Sequence, residues 1–184
     1  MNAARCLMSY RALWGARVSH RLQRLEIPVY PERAMFRVHD SGADPNGPGA
    51  PLLPVGSLIS VSADREQLWV GSLQEQVAVS LTLEEWDGAP VTADWDEEAK
   101  TQLYLRGRLT IDMGSSGIAV GSLRLIGGVG DYAARVYARN REPVAELYND
   151  LFDRYGDPLG DEFARAKKDL EGIEQYLLQL WRES

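Results

Sequence analysis

The fold is decided by residues 101–139, which read TQLYLRGRLTIDM (101–113), GSSG (114–117), IAVGSLRLI (118–126), GGVG (127–130) and DYAARVYAR (131–139). Apolar residues alternate at Leu103, Leu105, Leu109, Ile111 and Met113, and again at Ile118 and Val120. In the last piece Tyr132, Ala134, Val136 and Ala138 fall on one side, with Arg135, Tyr137 and Arg139 on the other. Successive side chains of a strand point to opposite faces of its sheet. A period-two pattern punctuated by glycine therefore predicts consecutive antiparallel strands with one face buried. The GSSG and GGVG clusters both read as turns between strands. Neither has the strand-to-helix setting or the Lys-Ser/Thr of a phosphate loop.

Upstream, the same alternation continues. Val77, Val79, Leu81 and Leu83 mark a strand that runs to Trp86, after which Asp87-Gly88 turns the chain ahead of Pro90. Leu58–Ala63 and Leu68–Leu73 are two further strand candidates. In IPVYPERAMFRVHD (27–40), Met35, Arg37 and His39 alternate with Phe36 and Val38, while Pro28 and Pro31 confine the segment to an edge or a loop start. Four prolines between Ser41 and Gly56 leave room only for a surface loop. The acidic VTADWDEEAK (91–100) reads as an exposed connection.

Beyond Arg139 the period changes. Val144, Leu147, Leu151, Phe152 and Tyr155 form one face of a helix starting near Pro143 and stopped by Gly156-Asp157-Pro158. A second helix, from about Asp161 to Glu171, presents Phe163, Ala166 and Leu170, and Gly172 ends it. The stretch from Ile173 to Trp181 fits either a continued helix or a strand apolar on both sides. Gly172 weakens the helix, and the strand is the reading taken. The expected fold is mainly β: an antiparallel, jelly-roll-like β-sandwich of roughly seven to nine strands, with a helical insert at 143–172 before the last strand. The expected organisation is a basic leader or helix at 1–26 and a single domain at 27–184.

Composition narrows the function. The 184 residues carry 27 acidic and 20 basic side chains, a net charge of −7. Five of the arginines (Arg5, Arg11, Arg17, Arg21 and Arg24) lie in residues 1–25, which hold no acid. The rest of the chain is thus at −12, a balance that repels nucleic acid phosphates and anionic membrane and attracts a basic protein surface. Leu7, Trp14, Val18, Leu22 and Leu25 recur at helical spacing, but Arg11 and Arg21 project onto the same side. A leader with little structure, a helix docked on the acidic body and a partner-binding arm all stay open for 1–25. The lone Cys6 excludes an intramolecular disulfide and suits a reducing cytoplasm. No continuous apolar run suits export or a spanning helix.

Catalytic patterns are absent. A Ser-His-Asp or Cys-His set would have to use His20 or His39, the only histidines; Cys6 lies in the leader, and His39 beside Asp40 reads as a surface pair rather than a base. Two histidines and one cysteine serve zinc poorly. Asp94, Asp96, Glu97 and Glu98 lack the glycine and spacing of a calcium loop. Glu84, Glu85 and Asp112 qualify as a glycosidase pair by number alone. No cofactor or metal is implied, and the chain reads as non-enzymatic. Arg135, Tyr137 and Arg139 interleave charge and aromaticity, but on an acidic body they do not point to nucleic acid. Trp69 reads as core, while Trp86 and Trp95, flanked by acids, suit a partner surface.

Gly130, Tyr132, Arg135, Val136, Ala138 and Arg139, followed by Tyr176, Leu178, Gln179, Leu180 and Trp181, carry a resemblance. The pattern over 27–140 and 173–182 resembles a loosely defined group of uncharacterised bacterial β-sandwich proteins. More remotely, it resembles the inhibitor of the DNA-entry nuclease of competence systems. The resemblance implies a fold first and an inhibitor or immunity role second. The expected function is therefore a cytoplasmic protein-interaction module that binds a basic nuclease or toxin. Glu84, Glu85, Trp86, Asp94, Trp95, Asp96, Glu97 and Glu98 are the expected contact residues, with charge complementarity speeding association. The competing reading is a carbohydrate or small-molecule binder using aromatic side chains and the loop at 41–56. A homo-oligomer is compatible with either.

Overall fold

A computed structural model describes residues 18–44 and 53–183. Eight strands make one sheet: β1 (Arg21–Val29), β2 (Met35–Asp40), β3 (Ile59–Val61), β4 (Gln67–Gly71), β5 (Val79–Trp86), β6 (Glu97–Asp112), β7 (Ile118–Arg139) and β8 (Gln175–Arg182). Two helices, α1 (Arg141–Tyr155) and α2 (Asp161–Lys168), lie between β7 and β8. The strand order is β1-β5-β8-β7-β6-β2-β4-β3. Every pairing is antiparallel except that of β5 with β8, which is parallel. The expected mainly β chain with helices ahead of its last strand is what the structure holds, and residues 173–182 contain the expected strand.

Three expectations are corrected. The boundary placed at residue 26 is too late: β1 begins at Arg21 and pairs with β5 from Arg21↔Trp86 to Val29↔Val79. The readings for residues 1–17, Cys6 among them, lie outside the described residues, as do residues 45–52 of the proline-rich loop. The acidic connection is also shorter than read, because Glu97–Lys100 already belong to β6 and pair with β7.

The third correction concerns GGVG. Gly114–Ser116 is a 3-10 turn closing the β6–β7 hairpin, as expected, but Gly127–Gly130 lies inside a single 22-residue strand. Arg106 pairs with Val129 and Arg108 with Arg124, so Leu125–Gly128 bulge out opposite one residue, Gly107. Both strands bend there. Gly107 has φ +89° and Gly128 φ +73°, values that suit glycine, and a Cβ on Gly107 would stand 3.3 Å from the Gly128 carbonyl carbon. The bend folds the sheet into two leaves. One comprises β1, β5, β8 and the far halves of β7 and β6; the other comprises the near halves with β2, β4 and β3. The leaves meet where Phe36 of β2 packs edge-on against Tyr176 of β8 at 5.3 Å, and where the Tyr176 hydroxyl donates to the Gly71 carbonyl of β4 at 2.8 Å. A single core follows, in which Leu103, Leu105, Leu109, Ile111, Val136 and Leu178 are all buried. A satellite core of Val77, Leu151, Phe163 and Leu170 seats the helices against the start of β5.

Candidate functional site

The eight expected contact residues divide sharply. Glu84 and Glu85 are adjacent on β5, so they point to opposite faces, and neither is a surface acid: they are 5% and 0% exposed. Glu84 accepts hydrogen bonds from Arg21 at 2.7 Å, Trp86 Nε1 at 3.0 Å and Gln179 Nε2 at 3.1 Å. Burial opposes its charge, but the bonds from Gln179, Arg21 and Trp86 together prevail and hold its carboxyl below the ordinary range. Glu85 accepts the backbone N–H groups of Ile126 at 2.9 Å and Gly127 at 2.7 Å, along with Gln23 Nε2. It therefore caps donors that the bulge in β7 takes out of the ladder. Both of these expected contact carboxylates are consumed inside the fold and are not presented on its surface.

The outer face of the first leaf explains the burial of Glu84. Arg24, Glu84, Gln179, Arg135 and Lys100 stand side by side across β1, β5, β8, β7 and β6. The segment after β5 crosses this face. Arg135 donates to the Pro90 carbonyl at 3.3 Å, the Tyr137 hydroxyl accepts from the Ala93 N–H at 3.1 Å, and Arg139 donates to the Asp94 carbonyl at 2.6 Å. The Arg139 guanidinium lies 4.9 Å from the Trp95 ring centre, and Trp95 packs on Tyr137 at 6.2 Å. Asp96 accepts from the Asn140 N–H at 2.9 Å, Glu97 pairs with Arg141 at 2.6 Å, and Glu98 meets Lys100 at 3.1 Å and Arg135 at 3.3 Å. Asp94, Asp96 and Glu98 keep exposed surface, yet the run 94–98 is stitched to β7 and the start of α1. Trp86 is half-buried beside Arg21, and Trp69 is 7% exposed.

Another acidic surface begins where that run is tied down. On α1, Glu142, Glu146, Asp150 and Asp153 are all exposed, opposite the buried Val144 and Leu151. Their spacing, i, i+4, i+8 and i+11, makes one helical stripe. Among the described residues none of the four enters an ion pair. The stripe is legible in the sequence once the polar face of this helix is read along with its apolar one. Glu171 and Glu162 add exposed acid around α2, although Arg165, Lys167 and Lys168 balance it locally.

Titratable groups elsewhere are structural. Glu174 is 1% exposed and accepts from Ser72 Oγ at 3.0 Å, Gln74 Nε2 at 2.8 Å and the Tyr176 hydroxyl. Burial pushes its carboxyl up despite those bonds, and the Tyr176 hydroxyl is driven well above its usual range for the same reason. The Tyr132 hydroxyl, buried near Glu85, is pushed up to about 12 while it donates to the Gly128 carbonyl at the bend. His39 is lowered chiefly by burial and bonds the Asp40 carbonyl, whereas His20, just ahead of the edge strand β1, lies beside Asp87. Among the described residues no group of three His, Cys, Asp or Glu side chains is placed to hold a metal, and no helix is long and apolar enough to cross a membrane.

No family model matches the chain, and no curated protein matches it in sequence. Two solved structures share its fold. One is ComJ, inhibitor of the DNA degrading activity of NucA, from Bacillus subtilis, at TM-score 0.53 and 8% identity over 90% of this chain and 99% of that one. The other is crocagin biosynthetic gene J, at TM-score 0.51 and 14% identity over 91% of this chain and 99% of its own. The remote resemblance to a nuclease inhibitor is thus met at the level of fold.

Proposed function

We infer that the chain is a non-enzymatic protein-interaction module that inhibits a basic nuclease or toxin. The observation that carries this reading is the exposed acidic stripe Glu142, Glu146, Asp150 and Asp153 on α1. A line of unneutralised carboxylates on a rigid helix presents charge where a basic nuclease would hold a phosphate backbone, and it steers encounter over distances set by ionic strength. Asp96, exposed and bonded to the Asn140 N–H just ahead of α1, adjoins that surface. Two further facts support the reading: the acidic balance of the chain beyond its first residues, and a fold shared with an inhibitor of DNA degradation.

The test uses the full chain as bait in lysate of its own source at low and high salt, followed by a DNA-degradation assay on what is retained. The expected outcome is a basic protein held at low salt, released at high salt, and slowed in degrading DNA when the purified chain is added back. Glu146→Lys with Asp150→Lys should weaken that inhibition at least about tenfold, the effect of losing roughly 1.4 kcal/mol of association free energy. Full inhibition by the double variant, or binding indifferent to salt, would sink the acidic-surface mechanism.

A further inference from the structure

We propose that the cavity between the turn at 32–35, β2 and the β6–β7 turn is a binding site for a small planar carboxylate of the aromatic carboxylic acid class. The site does not depend on the inhibitor function. The cavity encloses about 220 Å³, and Glu32, Arg33, Phe36, Arg37, Trp69 and Asp112 supply its walls. Trp69, 7% exposed, forms the apolar side; Phe36, next to Arg37 on β2, turns its ring to the opposite face and into the core.

The two carboxylates of the cavity are already engaged. Glu32 accepts the N–H and, at 2.9 Å, the hydroxyl of Ser115. It lies so close over Gly114 that a Cβ there would collide with Oε2. Asp112 accepts the Gly114 N–H at 2.7 Å and pairs with Arg37. The donors are not used up in the same way. Arg37 gives one terminal nitrogen to Gln67 at 3.0 Å and the other to Asp112, which leaves its Nε–H. Arg33 forms no hydrogen bond or ion pair among the described residues, and the Trp69 indole N–H finds no acceptor among them while retaining some access to solvent. A free guanidinium and spare N–H donors beside an indole wall match one ligand chemistry. A carboxylate takes the charge-assisted bonds, and a flat ring lies on the aromatic side.

The turn that carries Arg33 gives an independent reason to look here. Arg33 and Ala34 have φ +52° and +59°, and the Met35 N–H donates to the Glu32 carbonyl at 3.0 Å, which makes a type I′ hairpin turn. Such turns favour Asn-Gly. An arginine there strains the backbone and sets a guanidinium on the rim of the cavity.

The experiment titrates the ¹⁵N-labelled full chain with benzoate and follows the tryptophan indole N–H signals, with Trp69 assigned by the signal lost in Trp69→Phe. Inorganic phosphate supplies charge without a ring, and benzyl alcohol a ring without charge. The expected result is a saturable shift of the Trp69 signal with benzoate and little movement with either control. Arg33→Asn suits the turn better, so it should melt no lower than the parent while weakening benzoate about tenfold, the scale of one charge-assisted contact. Three results would each overturn the proposal: a Trp69 signal unmoved up to about 20 mM benzoate, well above the dissociation constant of even a weak specific site; equal benzoate binding by Arg33→Asn; or an equal response to benzyl alcohol.

Discussion

Glu84 and Glu174 are both buried carboxylates of the first leaf, yet they respond to pH in opposite senses. The folded-state pKa of Glu84 lies below the ordinary 4.5, because bonds to Gln179, Arg21 and Trp86 outweigh its burial. The native state then binds fewer protons than the unfolded chain, so its stability is present above pH 4.5 and is lost as pH falls through the depressed value. Glu174 lies above 4.5 because its burial outweighs the bonds from Gln74, Tyr176 and Ser72. Its native state binds more protons than the unfolded chain, and stability is lost as pH rises from 4.5 through the raised value. Urea midpoints between about pH 3 and 7 separate the two. Glu84→Gln should flatten the gain in stability with rising pH, and Glu174→Gln should steepen it. Identical pH profiles for the parent and both variants would contradict these assignments. At this scale the sequence is least informative. Glu84, Glu85 and Asp94–Glu98 are the same letters whether they face solvent or an arginine, and the arginines that engage 84 and 97 lie 63 residues upstream and 44 downstream.

Alternation and turn residues foretold most elements, and where they failed the cause was local. β1 was hidden because Arg21, Gln23 and Arg24 make an edge strand look like a leader; only pairing with β5 gives those polar residues a place. GGVG reads as a turn because four residues rich in glycine end most strands, whereas here they bend one. The bend makes a direct prediction. Gly107→Ala would place a side chain at φ +89° and at 3.3 Å from Gly128 backbone, which can yield only by moving the opposite strand. Its cost should be about 1–3 kcal/mol in chemical denaturation. Gly121→Ala serves as the control: it lies in the partner strand β7 with its nearest neighbour at an ordinary 3.8 Å, and should change little. Equal stability of the two variants would mean that the bend does not depend on the Gly107 backbone.

At the scale of the whole molecule, the mainly β architecture and the position of the helices were legible because hydrophobic period survives without knowledge of contacts. The candidate surface is overlooked when net charge alone is read, because net charge says how much acid a chain carries and not which part is neutralised. The acids at 94–98 neighbour Lys100, Arg135, Arg139 and Arg141, while the stripe on α1 faces away from the sheet. β8 sits at the centre of the first leaf, hydrogen-bonded to β5 on one side and β7 on the other. A chain lacking residues 173–184 should therefore remain largely unfolded, and adding a peptide of that sequence in trans should restore a cooperative melt. A fragment that melts cooperatively without the peptide would show that the core closes without β8. On the ribosome the same arrangement has a consequence in time. β8 is synthesised after both its neighbours, so β5 and β7 emerge with facing edges unsatisfied and wait through the translation of two helices for the strand that joins them. During that interval the nascent chain exposes two open strand edges, and chaperones and stray β-segments compete for them before the native partner arrives.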